Sequence, residues 1–305
     1  MSDEFYARPM VKRLTEVFAY PSSPQIITEA QFDYMPKLLI ETARKPWHEI
    51  GRSDYWAYLL DLCYVDLQQD LFDYLFPAFL IKWWEGQLSR RGGPSSGETD
   101  FYRAIDTGQC LFKMMDDGRR SQIFAWMIDA YIEGVDAWGG SLSTDIGDHY
   151  EDEPFNLDGP LGSFSSLGQS VPIINGAIDN LLDVSSLGRA QWWLVFASIL
   201  AWDKEPCPFL PEYLGPDGCP ISLSCRESGI SSHGYLDSNL LAFKQKISYS
   251  AVKTSLSKSL AYLRNTPHSD WTSSTLAKIK TDETICAERL TRLVLEMSQP
   301  DLGLD

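Results

Sequence analysis

Residues 66–88, DLQQDLFDYLFPAFLIKWWEGQL, carry the strongest structural signal in the chain. Apolar side chains recur there every four residues, the spacing that places them on one face of an α-helix. This stripe consists of Leu67, Leu71, Leu75 and Phe79. Pro77 interrupts it, and because proline has no N–H to donate inside a helix, we expect a kink near Phe76 or a division into two helices. The segment therefore predicts a core helix, bent or broken in its middle.

Helical patterning continues on both sides of this segment. Serine or threonine is placed to cap helices that start at Thr28, Ser53, Thr99 and Ser121, of which the first runs to about Ala43 and the third to about Met115. Later apolar patterning predicts helices at 191–202, 240–247, 252–263, 270–280 and 282–297. Residues 141–188 separate the earlier helices from these later ones and are rich in glycine, serine and acidic residues. Within them, residues 171–174 are a candidate short strand.

These patterns predict a mainly α protein, with room for a few short strands, built as two helical lobes. The domains expected are an acidic helical lobe at 1–140, a linker or loop region at 141–188 and a second helical lobe at 189–305. Each lobe is long enough to bury a hydrophobic core of its own.

The composition fits a globular protein and excludes several partner classes. Hydrophobic residues make up 44% of the 305, and 26 basic against 42 acidic side chains give a formal net charge of −16. Nucleic acid and anionic membranes attract cationic proteins, so neither is an expected partner. The start of the chain has no apolar signal region, and its six cysteines are thinly spread, so we expect a cytoplasmic protein with reduced thiols.

The negative charge is concentrated in the first half, where residues 1–158 hold 14 basic and 27 acidic side chains. Two sets spaced i, i+4, i+7 would align three carboxylates on a helix face, and an acidic run follows them. Such faces are either solvated or dock a cationic partner, whose charge would relieve the repulsion between neighbouring carboxylates. The candidate partner-binding residues are Asp66, Asp70, Asp73, Asp129, Glu133, Asp136, Asp145, Asp148, Glu151, Asp152 and Glu153.

No motif in the sequence specifies a reaction or a cofactor. The acidic run lacks the ligand register of an EF-hand calcium loop, so it is assigned to solvent or partner contact. Cys207, Cys219, Cys225 and His233 have donor types that suit zinc, but without the short paired spacings typical of zinc modules. No metal, cofactor or catalytic residue is therefore assigned, and the tryptophan pairs 83–84 and 192–193 are expected to pack in the core.

In residues 66–88 an aromatic residue, Tyr-Leu, Pro-Ala and an aliphatic run follow one another. This pattern resembles a group of bacterial helical proteins. The acidic, tryptophan-rich composition without an enzymatic motif is similar to that of immunity proteins that accompany bacterial toxins of type VI secretion and contact-dependent systems. The resemblance implies a cytoplasmic protein that neutralises one cognate toxin by covering its active or substrate-binding surface. A basic toxin would match the acidic first half. The alternatives are a hydrolase with an acidic, metal-dependent site between the lobes, and a scaffold unrelated to toxins.

Overall fold

The structure is a computed structural model that describes residues 2–32, 36–89, 101, 104–105, 109–137, 171–190, 193 and 249–265. Within these residues the chain is helical and contains no strand, which confirms the mainly α prediction. Two compact units are found, residues 1–131 and residues 132–305. None of the described helices is both long enough and apolar enough to cross a bilayer.

Helices account for most of the described first unit. They are α1 (Ser2–Ala7), α2 (Pro9–Val17), α3 (Pro36–Ala43), a 3₁₀-helix η1 (Trp47–Glu49), α4 (Arg52–Tyr64), α5 (Gln69–Ser89), α6 (Cys110–Met114) and α7 (Asp117–Ala137). The last of these, α7, continues into the second unit, which also contains α8 (Val171–Leu182) and α9 (Tyr249–Arg264).

Helix α5 is the core element of the first unit, with α2, α3, α4 and η1 packed against it. Its buried side chains lie on all of its faces rather than in one stripe, as expected of a helix surrounded by others. They are Leu71, Phe72, Tyr74, Leu75, Phe76, Ala78, Phe79, Leu80, Ile81, Trp83 and Trp84. Both indoles of the 83–84 pair are thus in the core, as predicted from their sequence.

Helix α5 runs without a break through Pro77, so the predicted division into two helices is wrong. A proline inside a helix removes one backbone hydrogen bond and crowds the preceding turn, at a cost of about 3 kcal/mol. The burial of two phenylalanines next to it, Phe76 and Phe79, each at 2% exposure or less, offsets that cost.

Indole hydrogen bonds fix the elements that surround α5. Trp126 of α7 is buried, and its Nε1 donates to the carbonyl of Met10 in α2 over 2.8 Å. Trp47 of η1 donates in the same way to the carbonyl of Tyr74 in α5 over 2.7 Å. Each bond satisfies an N–H in an apolar environment, where an unpaired donor would be destabilising.

Three of the predicted helix starts are wrong. The helix predicted to start at Thr28 is α3, which begins at Pro36 instead, and the fixed φ of proline suits the first turn. The helix predicted to start at Ser53 is α4. Its N-cap is Gly51, and the Asp54 carboxylate accepts the Gly51 N–H over 2.8 Å. The helix predicted to start at Ser121 is α7, which begins four residues earlier, at Asp117.

Two further expectations are corrected by the backbone. No single helix spans residues 99–115, because Gln109 has a left-handed φ of 49° immediately before α6. Residues 171–174, the candidate strand, form the first turn of α8 instead. Their short apolar run fits a buried helix as well as a strand, and periodicity alone does not separate the two.

The second unit is held by a bidentate ion pair and a close backbone contact. Arg189 is buried, and its Nε and Nη2 each donate to a carboxylate oxygen of Asp136 over 2.8 Å. Next to it, Gly188 lies so close to α7 that a Cβ built on it would be 1.8 Å from the carbonyl oxygen of Val135. Helix α9, which overlaps the predicted 252–263 helix, contacts α8 and adds Leu256 and Leu263 to the core.

The remaining expectations lie outside the described residues. They concern the 141–170 part of the predicted linker, most of the 191–202 helix, and the helices at 240–247, 270–280 and 282–297. The 1–140, 141–188 and 189–305 domain boundaries stay a prediction.

We predict that Gly188→Ala lowers the free energy of unfolding by about 1 to 3 kcal/mol, because the methyl group would force Val135 and its carbonyl away. Denaturant unfolding monitored by circular dichroism measures the loss. Gly118→Ala is the matched control, since a Cβ on this helical glycine would approach only the Asp116 side chain, at 3.3 Å. That change should alter the free energy of unfolding by less than about 1 kcal/mol, because the gain from replacing a helical glycine is opposed by the shift of Asp116, whose Oδ1 accepts the Arg119 N–H. Equal stability of Gly188→Ala and the wild type would contradict the close contact.

Candidate partner-binding surface

Three of the acidic residues predicted to meet a partner are paired with arginines of the chain itself. Asp73 on α5 accepts a hydrogen bond from Arg119 over 2.7 Å, and Asp129 on α7 accepts one from Arg13 over 2.6 Å. Asp136 forms the bidentate pair with Arg189. These ion pairs neutralise the three carboxylates within the fold, and a partner would have to compete for them.

Asp66, Asp70 and Glu133 are exposed, but the first is not placed as expected. Helix α5 begins at Gln69, so Asp66 lies in the turn between α4 and α5, and the predicted helical line of Asp66, Asp70 and Asp73 is wrong. Asp70 lies in the first turn of α5, where its Oδ1 accepts the N–H of Leu71 over 3.0 Å. Neither Asp66 nor Asp70 has a basic partner within the described part of the chain.

The rest of the predicted acidic set, Asp145, Asp148, Glu151, Asp152 and Glu153, lies outside the described residues. The possible zinc ligands Cys207, Cys219, Cys225 and His233 do so as well. Across the residues that are described, no three His, Cys, Asp or Glu side chains are grouped in a way that could hold a metal ion.

Gln68, in the turn between α4 and α5, holds a non-helical segment, residues 26–32, against that turn. Its amide nitrogen donates to the carbonyl of Ile26 over 2.8 Å and to Oδ1 of Asp70 over 2.7 Å. Its amide oxygen accepts the backbone N–H of Thr28 over 2.7 Å and that of Glu29 over 3.2 Å. One side chain therefore fixes both the segment and the carboxylate beside it.

A buried carboxyl pair underlies this contact. Glu29 of the segment is 6% exposed and Asp61 of α4 is fully buried. Oε2 of Glu29 accepts the backbone N–H of Gln68 over 2.6 Å, and Oδ1 of Asp61 accepts that of Phe32 over 2.8 Å. No donor from the described residues reaches Oε1 of Glu29. The pair thus ties the segment to α4 and to the turn after it.

Burial, together with the neighbouring carboxyl of Asp61, raises the pKa of Glu29 to about 8 against the opposing effect of the Gln68 N–H. At neutral pH Glu29 is therefore mainly protonated. A proton on Glu29 removes the repulsion between two buried carboxylates, which would otherwise oppose docking of the segment.

The segment and the end of α4 expose aromatic and aliphatic side chains. Phe32 and Tyr64 are each 50% exposed, and their rings stack with centroids 4.5 Å apart. Ile26, whose carbonyl is held by Gln68, is 71% exposed. We call the patch formed by Ile26, Phe32, Tyr64, Asp66 and Asp70 the turn surface. It combines exposed apolar side chains with carboxylates, a composition suited to protein partners.

A cavity of about 380 Å³ lies elsewhere in the first unit. Aromatic, proline and hydroxyl-bearing residues line it, with Tyr6, Trp47 and Tyr74 among them. The hydroxyl of Tyr74 donates to the carbonyl of Lys45 over 2.8 Å, so that group already has an intramolecular partner. No carboxylate lines the cavity, which separates it from the acidic chemistry predicted from the sequence.

Sequence reasoning found Asp66 and Asp70 but missed the residues that organise the surface around them. Glu29, Asp61 and Gln68 are far apart in the sequence, and only the fold brings them together. Asp61 carried one usable signal, since it lies between Leu59, Leu60 and Leu62 on a helix where a carboxylate is out of place.

We predict that the free energy of unfolding falls as the pH rises from about 4.5 to about 8, because the pKa of Glu29 is raised in the folded state and ionisation then favours unfolding. In Glu29→Gln this contribution is absent. The variant should gain stability relative to the wild type by up to a few kcal/mol as the pH rises to 8.5. Denaturant unfolding at pH 5 to 9 measures the difference.

Between pH 5 and 9 the comparison reports on Glu29. A hydrogen bond from Lys45 lowers the pKa of Asp54, and hydrogen bonds from Lys82 and Arg8 lower that of Glu85, in each case against the effect of burial. Both carboxyl groups therefore become protonated only below the pH range of this experiment. Titrating groups away from Glu29 and its neighbour Asp61 are common to both proteins and cancel in the comparison. Glu16→Gln, at an exposed carboxylate, is the control and should follow the wild type. Parallel pH profiles for Glu29→Gln and the wild type would contradict the buried pair.

No protein-family model matches the chain, and neither a curated protein nor a solved structure matches it. The resemblance to toxin-immunity proteins therefore stays a prediction.

Proposed function

We propose that the protein binds a basic protein partner through its acidic surface and neutralises a cognate secreted toxin by covering the toxin's active or substrate-binding surface. Neutralisation of a toxin is the role implied by the resemblance of the acidic, tryptophan-rich sequence to immunity proteins. A protective role of this kind belongs in the cytoplasm of the producing cell, and it requires no cofactor and no catalysis by this chain.

One observation carries the proposal. Among the six predicted contact acids in the described residues, Asp73, Asp129 and Asp136 are held by arginines of the fold, whereas Asp66 and Asp70 on the turn surface are exposed without a basic partner. The fold thus neutralises part of its own negative charge and presents another part beside exposed apolar side chains.

Charge complementarity gives this arrangement its advantage. Carboxylates opposite a cationic surface steer the two proteins together and raise association rates by orders of magnitude at low salt. The formal net charge of −16 supplies a long-range field of the required sign. Because Gln68 fixes Asp70, that carboxylate loses little conformational freedom on binding.

The hydrolase alternative would need carboxylates that converge on an open cavity. The described cavity is lined without carboxylates, and the buried Glu29–Asp61 pair braces a loop instead. The hydrolase and the toxin-unrelated scaffold stay predictions, and no observation on the described residues favours either.

A protection assay tests the proposed function. The product of the adjacent reading frame should arrest growth when expressed alone and should be harmless when this chain is co-expressed. The double variant Asp66→Lys/Asp70→Lys should fail to protect, with affinity for the toxin reduced at least about tenfold, because it opposes a basic surface with like charge. Circular dichroism shows whether the variant is folded.

The matched control is Glu16→Lys/Glu41→Lys, which makes the same change in net charge at two exposed helical positions outside the turn surface. It should protect as the wild type does. Equal protection by Asp66→Lys/Asp70→Lys, or a neighbouring product that is harmless by itself, would refute the proposed function.

A further inference from the structure

Three arginines of the first unit are each held between an aromatic ring and a carboxylate. The Cζ of Arg8 lies 4.3 Å from the ring centre of Trp84, and its Nη1 contacts Oε1 of Glu85 at 2.7 Å. The Cζ of Arg119 lies 4.9 Å from the ring of Phe18, and its Nη2 contacts Asp73 at 2.7 Å.

Arg120 repeats the arrangement on the surface. Its Cζ lies 4.1 Å from the ring of Phe112, which is 38% exposed, and it pairs with Asp117 three residues earlier on α7. A planar guanidinium can stack on a ring and donate in its own plane to a carboxylate at the same time, which explains why the two contacts occur together.

The turn surface offers the same two components without an arginine. The stacked rings of Phe32 and Tyr64 are half-exposed, and Asp66 follows Tyr64 by two residues at the start of the turn. In the described structure no lysine or arginine contacts these rings or Asp66. The neighbouring Asp70 adds a second exposed carboxylate that Gln68 holds in place.

We infer that the turn surface recognises an arginine side chain of a basic protein partner, stacked on the exposed aromatic pair Phe32–Tyr64 and paired with Asp66. This inference rests on the proposed function, because it names the partner group that the same surface takes. The occupant is fixed by two requirements, a planar face that covers the rings and a positive charge that meets the carboxylates.

Lysine meets only the second requirement. Its ammonium group is compact and strongly hydrated, so it pairs with Asp66 or Asp70 but covers less of the ring face. Arginine is weakly hydrated and lies flat on aromatic rings. The surface should therefore distinguish two peptides of equal length and charge that differ only in the cationic residue.

Two synthetic peptides test the inference on the full chain, acetyl-(Gly-Arg)₃-amide and acetyl-(Gly-Lys)₃-amide. Calorimetric titration should give an affinity about fivefold higher for the arginine peptide. The variant Phe32→Leu/Tyr64→Leu keeps an apolar patch but removes the aromatic faces, and it should bind both peptides equally. Asp66→Asn should lower the affinity for both peptides. Leu38→Ala, at a half-exposed residue of α3, should change neither affinity.

Equal affinity of the wild type for the two peptides, no binding of either, or an arginine preference that survives in Phe32→Leu/Tyr64→Leu would overturn the inference. The protection assay separates this failure from that of the proposed function. If the wild type shows no preference between the peptides and Phe32→Leu/Tyr64→Leu still protects cells, arginine recognition is refuted. Toxin neutralisation is not affected by that result.

Discussion

The burial of helix α5 on all its faces constrains the rest of the first unit. Because its apolar side chains require cover in every direction, α2, α3, α4 and η1 pack around it. Two of its charged residues pair with arginines of other parts of the unit, Asp73 with Arg119 of α7 and Glu85 with Arg8, the residue before α2. The position of the turn between α4 and α5, and with it the turn surface, follows from this packing.

Ion pairing within the fold divides the acidic residues into two kinds. Carboxylates that meet an arginine stabilise the fold and are neutralised, whereas Asp66 and Asp70 keep their charge at an exposed turn. The buried pair Glu29 and Asp61 belongs to neither kind, because its oxygens accept the backbone N–H groups of Gln68 and Phe32 and so hold residues 26–32 in place. Among the predicted contact residues that the structure describes, Asp73, Asp129 and Asp136 therefore stabilise the fold, whereas Asp66 and Asp70 are exposed to a partner.

Apolar spacing along the sequence was sufficient for the fold class and for the existence of α3, α4, α5, α7 and α9, since this spacing survives in any packing of an amphipathic helix. It did not predict α1, α2 or α8. Of the two outcomes predicted at Pro77, a kink or a division, the division is wrong because burial outweighs a local rule. The candidate strand at residues 171–174 is wrong because a short apolar run fits either secondary structure. For the site, residue spacing identified exposed carboxylates but could not assign the arginines that neutralise three of them. Those pairs join residues 46 to 116 positions apart, and spacing along a helix carries no such information.

The central claim is that a basic partner covers residues 26–32 together with the turn between α4 and α5. Amide hydrogen exchange of the full chain, with and without the product of the adjacent reading frame, tests it most directly. The account predicts slower exchange in residues 26–32 and 64–70 on binding. Protection confined to residues 171–190 or 249–265, or no protection at all, would contradict it.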